Sequence, residues 1–172
     1  MHKLKFTIIF FVFLFITKDS LAQEKNYRFH KVFFYSFTKY IEWPEDKKQG
    51  DFVIAVLGDS EIFPLLEEMA EIKKVGNRKI RVVKVEEVKK GNYFHILFIP
   101  SEENQSFNAV KTALIDQPTL LVTETKDMAK KGSMINFKDV NGKLRFEVNT
   151  QTLENSGLKM SKELTRFGEE IN

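Results

Sequence analysis

The chain of 172 residues contains seventeen phenylalanines and no cysteine. Disulfides, thiol catalysis, thiolate metal sites and cysteine redox switching are therefore excluded, and stability has to come from an apolar core. The formal net charge of +3 has no basic cluster with interleaved aromatics behind it, which argues against nucleic acid as a partner.

The chain opens on the basic Met1-His2-Lys3-Leu4-Lys5, continues through the apolar run Phe6 to Ile16, and reaches Ser20-Leu21-Ala22 before Gln23. This is the pattern of a secretory signal peptide over residues 1–22. The apolar run is shorter than the roughly 20 residues that a membrane-spanning helix needs. Loss of the leader removes Lys3, Lys5, Lys18 and Asp19, which brings the net charge from +3 to +1. Residues 23–172 then form one domain of ordinary size.

Tyr27 to Pro44 predicts a long helix ending near Trp43, because the residue before a proline is pushed out of the helical region. At about 100° per residue, Tyr27, Phe29, His30, Phe33, Phe34, Phe37, Tyr40 and Ile41 share one arc. Lys25, Arg28, Lys31, Lys39 and Glu42 lie opposite, and Val32, Tyr35 and Trp43 project toward that charged side. Aromatics outside the core are candidates for a protein interface. The competing reading is packing, with Trp43 folded beneath the loop after Pro44.

Glu45 to Asp51 reads as a loop. The apolar run Phe52 to Leu57 suits a strand buried on both faces. Gly58-Asp59-Ser60 offers a helix cap, and Ser60 to Ile72 is a helix with Pro64 near its first turn. Lys73 to Lys79 reads as a turn, Ile80 to Val85 as a second strand, and Tyr93 to Ile99 as a third, closed by Pro100. Helical spacing returns at Phe107, Val110, Ala113 and Leu114. Thr119 to Thr123 gives a fourth strand, and Lys126 to Lys131 a short helix stopped by Gly132. The alternation predicts a three-layer α/β/α sandwich on a mostly parallel, Rossmann-like sheet. Ile135 to Val148 alternates in polarity around Asn141-Gly142, the strongest hairpin signal in the chain, and predicts an antiparallel addition at one sheet edge. Gly157 to Ile171, with Met160, Leu164, Phe167 and Ile171 at helical spacing, predicts a closing helix.

No catalytic constellation emerges. Gly58-Asp59-Ser60 resembles the nucleophile block of a GDSL-type esterase, but no Asp-x-x-His follows near the C-terminus to activate Ser60. His30 and His95 lack the spacing of a metal site and read as buried, hydrogen-bonded histidines. Neither a phosphate loop nor a dinucleotide fingerprint is present, so neither a cofactor nor a metal is expected. Glu67, Glu68 and Glu71 lie on the polar side of a helix. The topology directs attention to the loops after Leu57, Ile99 and Thr123, the usual crevice for a small ligand.

Several blocks resemble the YfiR/HmsC-like family of exported proteins, in order and spacing, across residues 23–172. They are Tyr40-Ile41-Glu42-Trp43-Pro44, Ile54 to Leu57 with Gly58 and Asp59, His95 to Ile99, and Leu120 to Thr123. Gly132-Ser133-Met134-Ile135-Asn136-Phe137 follows, then Leu144-Arg145-Phe146-Glu147-Val148-Asn149, and Leu158 to Leu164. The resemblance implies a non-enzymatic periplasmic regulator. It would restrain the periplasmic part of an inner-membrane sensor, a diguanylate cyclase, with an outer-membrane lipoprotein able to draw it away. A homodimer is a further expectation. Position 95 is histidine where the family often has cysteine, so control by thiol oxidation does not carry over.

Overall fold

The computed structural model describes residues 26–171; the signal peptide predicted over 1–22 lies outside them. Helix α1 (Arg28–Tyr40) leads into the two-residue strand β1 (Ile41–Glu42) and a 3-10 turn at Glu45–Lys47. Then come β2 (Phe52–Leu57), α2 (Ile62–Ile72), β3 (Lys74–Val75), β4 (Arg78–Val85) and β5 (Ile96–Ile99). A 3-10 segment, Ser101–Ser106, precedes α3 (Phe107–Ala113) and β6 (Leu120–Thr123). After a 3-10 turn at Ala129–Lys131 the chain makes β7 (Ile135–Val140), β8 (Lys143–Asn149), α4 (Thr150–Asn155) and β9 (Lys159–Met160). A 3-10 turn at Lys162–Arg166 and β10 (Gly168–Ile171) follow.

The main sheet has the order β10-β8-β7-β6-β5-β2-β4-β3. β7, β6, β5, β2 and β4 run parallel, β8 and β3 are antiparallel to their hairpin partners, and β10 is parallel to β8. The fold is mixed α/β on a mostly parallel sheet. β5 and β6 are buried at every residue, as unbroken apolar runs in a parallel sheet require. The Asn141-Gly142 turn adopts positive φ at both residues, +55° and +75°, which is what a tight hairpin turn demands.

Helix α1 holds the core together. Phe34 and Phe37 are fully buried. Phe34 meets Phe98 of β5 edge-on at 5.5 Å, and Phe37 meets Phe146 of β8 at 5.4 Å and Phe137 of β7 at 5.9 Å. One helix thereby ties the first half of the sheet to the last, and each such ring gains about 1.5–3 kcal/mol on burial.

Four expectations need correction. α1 ends at Tyr40, earlier than the proline alone requires, because Ile41 and Glu42 pair with Met160 and Lys159 as a separate ribbon. Lys73 to Lys79 is the bend of a β3–β4 hairpin. The β7–β8 hairpin is not the sheet edge, since β10 lies outside β8. The closing helix is absent: Gly157 to Ile171 forms β9, a 3-10 turn and β10, with Leu164 buried and Phe167 exposed. Helical spacing there is outweighed by the unpaired edges of β1 and β8, whose backbone groups gain partners from an extended chain.

Candidate functional site

The carboxyl ends of the parallel strands bring together the three loops singled out by topology. β2 and β5 are adjacent, and their following strands, β4 and β6, lie on opposite sides, which makes this the switch point where ligands enter open α/β sheets. Gly58 follows β2 at φ +65°, a left-handed conformation that favours glycine, and a Cβ there would push the Glu103 side chain aside. Glu124 follows β6 directly with its side chain 6% exposed. Tyr27 donates its phenol to Glu124 Oε1 at 2.9 Å, and the Ser101 backbone N–H donates to the same oxygen at 2.9 Å. His30 Nε2 stands 3.9 Å from Oε2. Burial and then the charge of Glu124 raise the Tyr27 phenol far above its ordinary value, while a hydrogen bond with the Ser60 hydroxyl opposes them. Chemically this is a buried carboxyl group approached by hydrogen-bond donors. Among the described residues no group of three or more histidine, aspartate or glutamate side chains could hold a metal ion.

The amino ends of the same strands carry a second polar cluster, centred on His95. Its Nδ1 accepts the Val53 N–H at 3.0 Å, which assigns the ring proton to Nε2, 2.9 Å from the Lys47 carbonyl oxygen. Arg78 lies alongside, Nη2 2.7 Å from Nε2, and donates to the carbonyls of Gln49, Gly50 and Asp51. Both Nη2 protons therefore have carbonyl acceptors, and the close approach to the histidine is not a hydrogen bond. The ring stacks on Phe52, and the Trp43 indole N–H donates to the His95 carbonyl at 3.2 Å. Burial lowers the imidazole to about 4, with the charges of Arg78 and Lys47 adding to the effect and the hydrogen bond that Nε2 donates to the Lys47 carbonyl opposing it. This cluster fastens the loop after Pro44 to the sheet, and its role is structural.

The predicted interface residues separate. Val32 is 59% exposed. Tyr35 packs partly against the core, with Lys39 Nζ 4.4 Å and Lys73 Nζ 5.3 Å from its ring centroid. Trp43 is 5% exposed beneath the loop, which overturns its projection toward the charged side: the chain leaves the helix at Ile41, so helical spacing does not apply to it. Phe29, placed in the buried arc, is instead 64% exposed. It stands beside Val32 on the same helix face, and Phe33, one turn on, packs at 5.2 Å on Phe146 and 6.4 Å on the exposed Phe167.

Most family-motif residues are structural. Asn136 Oδ1 accepts from the buried Thr123 hydroxyl at 2.7 Å, next to Ser133. Asn149 caps α4 by accepting the Thr152 N–H at 2.8 Å and donates to the Ala129 carbonyl at 2.9 Å. Phe137 and Phe146 form the platform under α1. Asp59 is exposed and paired with Lys84 at 2.8 Å. Sequence reading missed Glu124, since one glutamate after a strand has no pattern of its own; only its place at a strand end marked it. Phe29 and Phe167 were missed because each fits a helical apolar stripe.

A comparison with curated proteins finds no match to this chain. A family model described as YfiR/HmsC-like matches residues 27–169, from the tyrosine that meets Glu124 to the strand at the sheet edge. No helix of the described residues is long and apolar enough to cross a membrane. Members of the matched family are known as periplasmic regulators that interact with membrane signalling proteins. The chain belongs to the YfiR/HmsC-like family.

Proposed function

We infer that the protein is exported through a cleaved leader and acts in the periplasm without catalysis. On its three-layer, Rossmann-like frame it binds the periplasmic part of an inner-membrane signalling protein, a diguanylate cyclase, and restrains it. An outer-membrane lipoprotein would relieve the restraint by competing for it. One observation carries this reading beyond family membership: Phe29 and Val32 stand adjacent and exposed on α1, where large apolar side chains do nothing for an isolated domain. Such residues supply the buried centre of an interface. The test is a double variant, Phe29→Ser with Val32→Ser, assayed for binding to the cyclase periplasmic domain. Binding should fall at least about 30-fold, equivalent to 2 kcal/mol, with an unchanged melting temperature. Intact binding would refute the assignment of the surface.

A second reading has its own support in the convergence of Tyr27, Ser101 and His30 on Glu124 at the switch point. A buried carboxylate framed by donors suits a small cationic or hydroxylated ligand. A thermal-shift screen of envelope metabolites should then give a saturable rise that Glu124→Gln abolishes. No rise across the screen removes this reading.

A further inference from the structure

The two faces of the sheet are covered unequally. The register of β5 on β6 pairs Leu97 with Leu121 and Phe98 with Val122, so Leu121 points away from the face that carries Phe98 and α1. On that second face the helices around Leu121 are α3 and α4, of seven and six residues against the thirteen of α1. At about two turns each they do not close over the sheet, and a cavity of about 330 Å³ stays open between them. It lies by Thr119 and Met134, at the amino ends of β6 and β7, apart from the Glu124 cluster at the carboxyl end of β6.

The interior of this cavity is hydrocarbon. Leu121, Met134 and Leu114 line it and are buried, while Ile115, just past α3, stands 61% exposed at the rim. Two hydroxyls of the lining have spent their protons within the fold: Thr119 donates to the Phe94 carbonyl and Ser156 to the Leu153 carbonyl, each at 2.7 Å. One end is cationic. The Lys111 side chain passes over Gly132, where a Cβ would lie 3.3 Å from its Cδ, and its Nζ donates to the Lys131 carbonyl at 2.9 Å. An ammonium has three protons to give, and among the described residues no carboxylate pairs with this one. Asp116, the one carboxylate of the lining, is exposed to solvent and unpaired with Lys111.

We propose that this cavity binds a small amphipathic carboxylate of the medium-chain fatty-acid class, its chain on Leu114, Ile115, Leu121 and Met134 and its carboxylate on the Lys111 ammonium. Size, lining and charge each narrow the class. Ligand sites run from roughly 300 to 1,000 Å³, so this one, at the small end, has room for a single short chain. In a protein with seventeen phenylalanines no aromatic side chain lines it, which leaves a planar ring nothing to stack on. The unbranched, adaptable Met134 side chain suits a flexible aliphatic chain. Lys111 then selects an anionic head over a neutral or cationic one.

Isothermal titration of decanoate, below its micelle concentration, into protein purified from the envelope fraction should show saturable binding at one site. Each methylene removed from the buried chain should weaken binding about fourfold, so octanoate binds more weakly than decanoate. Lys111→Gln should weaken decanoate about fivefold, as for an ion pair at a half-open site, and leave the neutral decanol unchanged. That contrast separates a lost charge from a lost cavity. Ile115→Glu, at an exposed position, should weaken both probes. No saturable binding of decanoate overturns the proposal. So does decanoate binding that Lys111→Gln and Ile115→Glu leave intact, or binding that is lost instead in Phe29→Ser/Val32→Ser, which would put the chain on the outer face of α1.

Discussion

The two ends of the parallel strands are built alike and held differently. Each gathers a buried histidine, a buried aromatic from the α1 region and a charged group: His95, Trp43 and Arg78 at the amino end, His30, Tyr27 and Glu124 at the carboxyl end. At the amino end the partners are largely main chain, since Arg78 takes three carbonyls and His95 takes Val53 and Lys47. At the carboxyl end the carboxylate is met by the Tyr27 and His30 side chains from the start of α1 and by the Ser101 backbone N–H. Main-chain partners cannot move without moving the fold, whereas side-chain partners can turn away. The first end is therefore a fastening, and the second is where an incoming molecule can exchange partners.

The largest break should come from the fastening. Trp43→Ala removes a buried ring and the indole bond to His95, and should cost about 3–5 kcal/mol in urea unfolding. A cost near zero would mean that the loop is held without it. Next comes acidity. In the folded chain the His95 imidazole stays neutral down to about 4, whereas in the unfolded chain it protonates near its ordinary 6.5. Between those values the unfolded state binds more protons, so stability falls as pH drops from 6.5 to 4 and levels off below. The melting temperature should follow that course, and His95→Gln should lose this part of the slope. The smallest effect is expected at the other end: Glu124→Gln keeps the shape and exchanges charged hydrogen bonds for neutral ones, at about 1–2 kcal/mol. A loss as large as that for Trp43→Ala would erase the distinction between the ends.

The sheet was legible because its central strands, Phe52 to Leu57, Ile96 to Ile99 and Leu120 to Thr123, are continuous apolar runs between glycine, proline and polar breaks. The β7–β8 hairpin was legible because Asn141-Gly142 admits few other conformations. The C-terminal segment was not, since spacing records which side chains share a face and says nothing of open strand edges elsewhere. The surface of α1 was legible only in part. Its arc was drawn too wide, so Val32 emerged and Phe29 did not, because an arc cannot show where the platform of Phe98, Phe137 and Phe146 stops. Trp43 was misplaced by carrying helical geometry past the residue where the chain straightens. Glu124 could be found only after three loops distant in sequence had been brought to one point.

Helix α1 also bears on the order in which the chain can fold. It is the first helix among the described residues and the one on which the core is assembled, yet Phe137 and Phe146, the rings that cover Phe37, lie far along the chain from it. Contacts so far apart along the chain form late and slowly. Until β7 and β8 form, Phe37 lacks the rings that cover it while Phe34 already has Phe98 of β5, and such partial exposure favours aggregation. A truncation before β7 would therefore leave part of the aromatic face of α1 permanently uncovered.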